Sequence, residues 1–136
     1  MPAPRVVLDT NVFIAAAFRP GSDSGRLVEA ARSRTVLLIW NEQTRRETET
    51  LLRKIPPISW EAVADLFLQE NRWPGRTDVA AYVAVPDPED RKFAALAAAA
   101  DATLVSLDRH LLDADLDGAC EVVVPGDFLD RLEGES

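Results

Sequence analysis

Asp9 ends the run Arg5-Val6-Val7-Leu8-Asp9, with the amides of Thr10 and Asn11 directly behind it. A short apolar stretch followed by an acid mounts a carboxylate at the end of a predicted strand. Glu47, Asp90 and Asp108 follow, each at the edge or on the inner face of a predicted element, and together the four acids suggest a metal-binding cluster. The chain has one cysteine, Cys120, and one histidine, His110. An internal disulfide and a cysteine-based metal site are thereby excluded. Any metal would be held by oxygen ligands, which favours Mg²⁺ or Mn²⁺ over Zn²⁺.

Each acid also has a structural reading. In its predicted helix Glu49 has Arg45 and Arg53 at helical spacing, and Glu42 has Arg45 and Arg46, so both are explained as solvated ion pairs. Glu47 has Gln43, Thr44, Thr50 and Leu51 at those positions and lacks an intrahelical basic partner. It sits above Leu51, on the stripe that includes Leu52 and Ile55, where a carboxylate is costly unless a cation or a donor meets it. The plainer alternative is an edge residue reaching water. In Pro86-Asp87-Pro88-Glu89-Asp90, Asp87 suits a helix N-cap, Pro88 the first helical position and Asp90 the capping-box position. Asp87 can cap while Asp90 points into a crevice. Asp108 can cap the helix carrying Leu111 and Leu112, yet it follows an apolar strand as Asp9 does, which favours one shared site.

The elements that would position these acids alternate between strand and helix. Strands are expected at Arg5 to Leu8, Thr35 to Trp40, Thr103 to Leu107 and Glu121 to Val124, all apolar on both faces as buried parallel strands are. Helical periodicity falls at about 11–18, 24–33, 41–55, 59–72, 88–100 and 108–114, with a last turn at 126–132. Small side chains from Ala94 to Ala100 let a helix pack close to a sheet. Pro20-Gly21-Ser22 and Trp73-Pro74-Gly75 mark loops. In an open parallel sheet the ligand crevice lies at the carboxyl ends of the strands, where both Asp9 and Asp108 are expected.

The length of 136 residues suits one domain, 1–136, with its core at about 5–132. At 47% hydrophobic and 28% charged, the composition is that of a globular chain with no apolar run approaching a membrane span. The opening Met-Pro-Ala-Pro-Arg has no apolar signal region, so a cytoplasmic protein is expected. The net charge is −8, which at first argues against a nucleic-acid partner. It is unevenly spread: residues 1–76 carry 11 Lys/Arg against 9 Asp/Glu, and residues 77–136 carry 4 against 14. Only the first half offers a phosphate-facing surface, and the acidic second half suits a basic protein partner.

Leu8-Asp9-Thr10-Asn11-Val12, Glu47 in the helix after the second strand, Asp87-Pro88-Glu89-Asp90-Arg91-Lys92-Phe93 and Ser106-Leu107-Asp108-Arg109-His110-Leu111-Leu112 stand in an order and spacing that resembles the PIN-domain family. More narrowly, they resemble its bacterial VapC-like toxins. The similarity runs from Val6 to about Leu132. It implies a three-layer α/β/α domain with a short parallel sheet of four to five strands, and a Mg²⁺- or Mn²⁺-dependent endoribonuclease leaving 5′-phosphate and 3′-hydroxyl ends. Carried over by position, the metal-binding and catalytic acids become Asp9, Glu47, Asp90 and Asp108, with Asn11, Ser106 and Asp87 in support. It also implies a homodimer and a toxin-antitoxin role, with a basic antitoxin as partner. Where the family often has Thr-Gly-Asp-x-Asp, this chain has Ser106-Leu107-Asp108-Arg109-His110: the hydroxyl is kept, and His110 replaces a further carboxylate.

Arg26, Arg45, Arg46, Arg53, Lys54 and His110 are the candidates for RNA contact, against the plainer reading of a solvated surface. A haloacid-dehalogenase phosphatase would need an acid where Asn11 stands. A response-regulator receiver would need a lysine at the end of a late strand, yet Lys54 and Lys92 fall in predicted helices. The alternative from another class is a catalytically weak PIN-like module that binds protein or RNA.

Overall fold

The computed structural model describes residues 3–114 and 120–134. Four strands form one parallel sheet: β1 (Arg5–Leu8), β2 (Leu37–Leu38), β3 (Thr103–Val105) and β4 (Val122–Val123), in the order β2-β1-β3-β4. Val6 pairs with Leu38, Leu8 with Val105, and Val105 with Val123. The alternation of side chains along a strand sends neighbours to opposite faces. Val6 and Leu8 therefore enter a core with Phe13, Leu27, Leu52 and Phe128, whereas Val7 enters a second core with Phe93, Leu96, Leu104 and Leu111.

Two helical layers cover these faces. The first holds α1 (Thr10–Phe18), α2 (Asp23–Arg32), α3 (Glu42–Arg53), the short α4 (Glu61–Ala64) and, after β4, α7 (Pro125–Gly134). The second holds α5 (Arg91–Ala99) and the single turn α6 (Arg109–Leu112). The result is the expected three-layer α/β/α domain, with a sheet of four strands among the described residues. Helix starts follow local chemistry. The Ser22 side chain accepts from the Gly25 amide ahead of α2, and Asn41 and Thr44 close a reciprocal capping box on α3. A side chain at Gly25 would run into the Pro20 carbonyl, whose oxygen would lie only 2.0 Å from a Cβ, so the tight α1–α2 turn requires glycine there.

The expected helix over 59–72 breaks after Ala64, and only a 3₁₀ turn at Gln69–Asn71 follows. Breaking it lets Phe67 insert among Phe13, Trp60 and Trp40, with ring centroids 5.7, 5.2 and 5.9 Å away. The Leu68 carbonyl then accepts from the Trp40 indole at 2.8 Å. Aromatic packing has overridden a helical period. The expected strand at Thr35 to Trp40 shortens to Leu37–Leu38, although the Ile39 amide still donates to the Val6 carbonyl.

Candidate active site

The sheet itself sets two of the acids side by side. Because Leu8 is registered with Val105, Asp9 and Ser106 emerge next to one another at the carboxyl edge, and the Asp9 amide donates to the Val105 carbonyl at 3.0 Å. Asp9 begins α1 in an extended conformation without spending its side chain as a cap. Instead the Ser106 hydroxyl donates to Asp9 Oδ2 at 2.8 Å and accepts from the Asp108 amide at 2.9 Å. Ser106 is wholly buried, so one hydroxyl fixes the carboxylate of β1 to the backbone that carries Asp108.

Asp108 does cap α6, accepting at Oδ1 from the His110 amide at 2.8 Å. It also faces the crevice. Asp90 begins α5 but makes no side-chain cap bond; its carboxyl hydrogen-bonds to Asp108 instead. A 3₁₀ turn at Pro88–Asp90 precedes the helix, and Asp90 lines the crevice with the other acids. Glu47 reaches the same place from α3. Its carboxylate meets Lys92 Nζ of α5 at 3.4 Å, with both side chains about one-fifth exposed. That is the cation which the Glu47 position demanded. Thr10 is held from below by a buried hydroxyl contact of 3.0 Å with Thr48 of α3.

A crevice of about 340 Å³ results, lined by Asp9, Thr10, Asn11, Glu47, Asp87, Asp90 and Asp108, with Leu51 and Phe93 as apolar walls. All four expected acids and two of the supporting residues line it, and the third, Ser106, lies beneath. Burial pushes the Asp9 carboxyl up, opposed by the hydrogen bonds from Ser106 and Thr10 and reinforced by the charges of Asp108 and Asp87. Asp90 is pushed up to about 7, first by burial, then by the Asp9 charge, its bond to Asp108 and the charge of Asp87. Below about pH 7 Asp90 therefore keeps a proton among these acids. Among the described residues no group of three or more His, Cys, Asp or Glu side chains is arranged to hold a metal ion as it stands.

The basic candidates lie outside this lining. Arg26 is engaged by Glu133 at 3.0 Å and Asp23 at 3.6 Å. Arg45 pairs with Glu49 and stacks over the Trp60 ring, 5.5 Å from its centroid, and Arg53 bonds Glu49 and Glu61. Arg46, Lys54 and His110 are exposed and make no ion pair among the described residues. Sequence reasoning missed Lys92 as the partner of Glu47, because the two are 45 positions apart and nothing local links them.

Among solved structures the chain is similar to PAE2754 from Pyrobaculum aerophilum, at 18% identity and a TM-score of 0.58 over 98% of this chain and 92% of that one. It is also similar to FitAcB from Neisseria gonorrhoeae, at 17% identity and a TM-score of 0.57 over 89% of this chain and 98% of that one. No curated protein matches it. The PIN-domain family model matches residues 5–110, a span that runs from the first strand through Asp9, Glu47, Asp90 and Asp108. With that match over most of its length, and the parallel sheet that brings those acids to one edge, the chain belongs to the PIN-domain family, whose fold is a nuclease fold.

Proposed function

We propose that the protein is an endoribonuclease dependent on Mg²⁺ or Mn²⁺, with Asp9, Glu47, Asp90 and Asp108 holding the cation and Asn11, Asp87 and Ser106 supporting them. The observation that carries this reading is the shared carboxyl edge, where a buried hydroxyl ties Asp9 to Asp108 while Asp90 is driven to about 7. Such a set of acids is unfavourable when fully ionised, and a divalent cation relieves it. The donors are all hard oxygens, which fits Mg²⁺ or Mn²⁺. A cation bound there would activate water and offset charge on the scissile phosphate.

The chain's own residues do the rest. Ser106 holds Asp9 by a hydrogen bond, the α6 cap holds Asp108, and the Lys92 contact keeps Glu47 at the crevice wall. Asp90 must lose its proton for the full ligand set to form, so binding strengthens as pH rises towards about 7 and levels off above it. Arg46, Lys54 and His110 remain available to the RNA backbone.

The family resemblance supports a toxin of a toxin-antitoxin system, with a basic antitoxin and a homodimer as its assembly. An arginine or lysine from such a partner would satisfy the acids as the cation does. No helix among the described residues is long and apolar enough to cross a membrane, and we place the protein in the cytoplasm. The second reading, a binding module of weak catalysis, draws on the Lys92 contact with Glu47. Incubation of a mixed structured and single-stranded RNA panel with Mg²⁺, Mn²⁺ or EDTA separates the two. Cuts that require the metal and vanish in folded Asp9→Asn support the nuclease. Folded protein that binds the metal and cuts nothing supports the module.

A further inference from the structure

One turn before Glu47 on α3, Gln43 shares its helix face and lines a second hollow of about 300 Å³. Its other walls include Glu42, Arg72, Trp73, Gly75, Arg76 and the cap residue Asn41. Gln43 and Glu47, one from the lining of each hollow, are therefore about 6 Å apart along the helix axis. The chemistry of the two hollows is opposite. The crevice is lined by five acids, whereas the hollow carries two arginines and one acid, Glu42, which pairs with Arg72 at 3.3 Å. Arg76 is exposed and makes no ion pair among the described residues.

The hollow is built on a fixed frame. The Trp73 amide donates to the Trp40 carbonyl at 2.7 Å, and the Trp40 amide donates to the Asn71 carbonyl at 3.4 Å, so the segment continues the edge of the sheet beyond β2. The half-buried Trp73 ring is held there with its indole Nε1 buried and without a hydrogen-bond partner among the described residues. Gly75 covers that nitrogen, and a Cβ at Gly75 would stand 3.0 Å from it. A buried donor with no acceptor is costly, and a ligand oxygen that displaces Gly75 would relieve it.

We propose that this hollow is a subsite for a nucleotide of single-stranded RNA next to the scissile phosphate, with Arg76 taking its phosphate and Trp73 meeting its base. The inference rests on the nuclease reading. RNA approaching the acids finds little cationic charge in the crevice, and a basic hollow with an aromatic wall one turn away supplies both phosphate contact and stacking. Arg76 and Trp73 are positioning residues, since neither touches the reacting atoms.

The test uses a fluorescently labelled single-stranded RNA oligonucleotide. Its binding to the wild type and to Arg76→Ala is followed in EDTA by anisotropy and by tryptophan fluorescence, and cleavage is measured with Mn²⁺. Trp40 and Trp60 are each 4% exposed, so RNA-dependent quenching reports on Trp73. The wild type is expected to be quenched. Arg76→Ala is expected to weaken binding about tenfold, to flatten the slope of log K against log salt by about 0.7, and to raise KM with kcat unchanged. Cleavage by the wild type without quenching, with Arg76→Ala unchanged in affinity and KM, would overturn the subsite and leave the nuclease standing. A wild type that neither binds nor cuts RNA would overturn both.

Discussion

Replacing Asp90 by Asn should stabilise the cation-free protein at alkaline pH and leave it little changed in acid. Asp90 sits among Asp9, Asp87 and Asp108, and its carboxyl is raised from an ordinary 3.8 to about 7. Between those values the folded chain binds a proton that the unfolded chain has released, so stability falls as pH rises through the window. The group favours folding most below 3.8, and this contribution is gone above about 7. At about 1.4 kcal/mol per pH unit the ceiling is about 4 kcal/mol. Asp90 is only half-buried, and solvent screening brings the expected effect to about 1–2 kcal/mol. Asparagine imitates the protonated acid, because its amide can still donate to Asp108. Urea unfolding of the two proteins in EDTA, from pH 4 to pH 9, should therefore give curves that meet at the acid end, diverge as pH rises to about 7 and stay a constant distance apart above it, with the variant more stable. Equal stability at pH 8, or a variant uniformly less stable, would refute the reasoning that burial, together with the neighbouring acids, disfavours the ionised Asp90.

Ser106→Ala removes a hydroxyl that donates to Asp9 and accepts from the Asp108 amide, and should cost about 2–4 kcal/mol in urea unfolding. Ser106→Thr should retain most of that stability. For the contact between Lys92 and Glu47, a double-mutant cycle with Lys92→Met and Glu47→Gln should show a coupling of about 1 kcal/mol in the cation-free protein. The cycle isolates this pair from the other interactions of Lys92. Mn²⁺ at about 100 times its Kd should stabilise the wild type by about 2.7 kcal/mol. That gain should shrink as pH falls below about 7, where Asp90 holds its proton, and should be largely absent in Asp9→Asn by thermal denaturation.

The strand pattern and the site were legible to different depths. Val6, Val7 and Leu8 read directly as a strand buried on both faces, and the acids after β1 and β3 could be placed at one edge because parallel strands must align their carboxyl ends. Glu47 was legible by elimination, since no residue one turn away could neutralise it. What answers it, Lys92, comes from another helix layer and leaves no local trace. The same holds for the helix broken after Ala64: the period of 59–72 is helical, yet the cluster of Phe13, Trp40, Trp60 and Phe67 is assembled from four segments and decides the backbone only once they meet. Asp90 was legible only as part of a helix start, because its nearness to Asp108 comes from a distant strand end. The arginines were least legible. Arg26, Arg45 and Arg53 are engaged by acids elsewhere, whereas Arg76, which lines the hollow beside the crevice, sat in a loop signalled only by Pro74 and Gly75.

The central claim is that these carboxylates direct hydrolysis of RNA by water with the help of a divalent cation. Mapping the ends of the cleavage products from a defined RNA, with Mg²⁺, Mn²⁺ or EDTA and with Asp9→Asn and Asp108→Asn alongside, tests it most directly. The account predicts 5′-phosphate and 3′-hydroxyl ends, formed only with the metal and only by the wild type. Products ending in 2′,3′-cyclic phosphate, or cutting that persists in EDTA or in the folded variants, would contradict it.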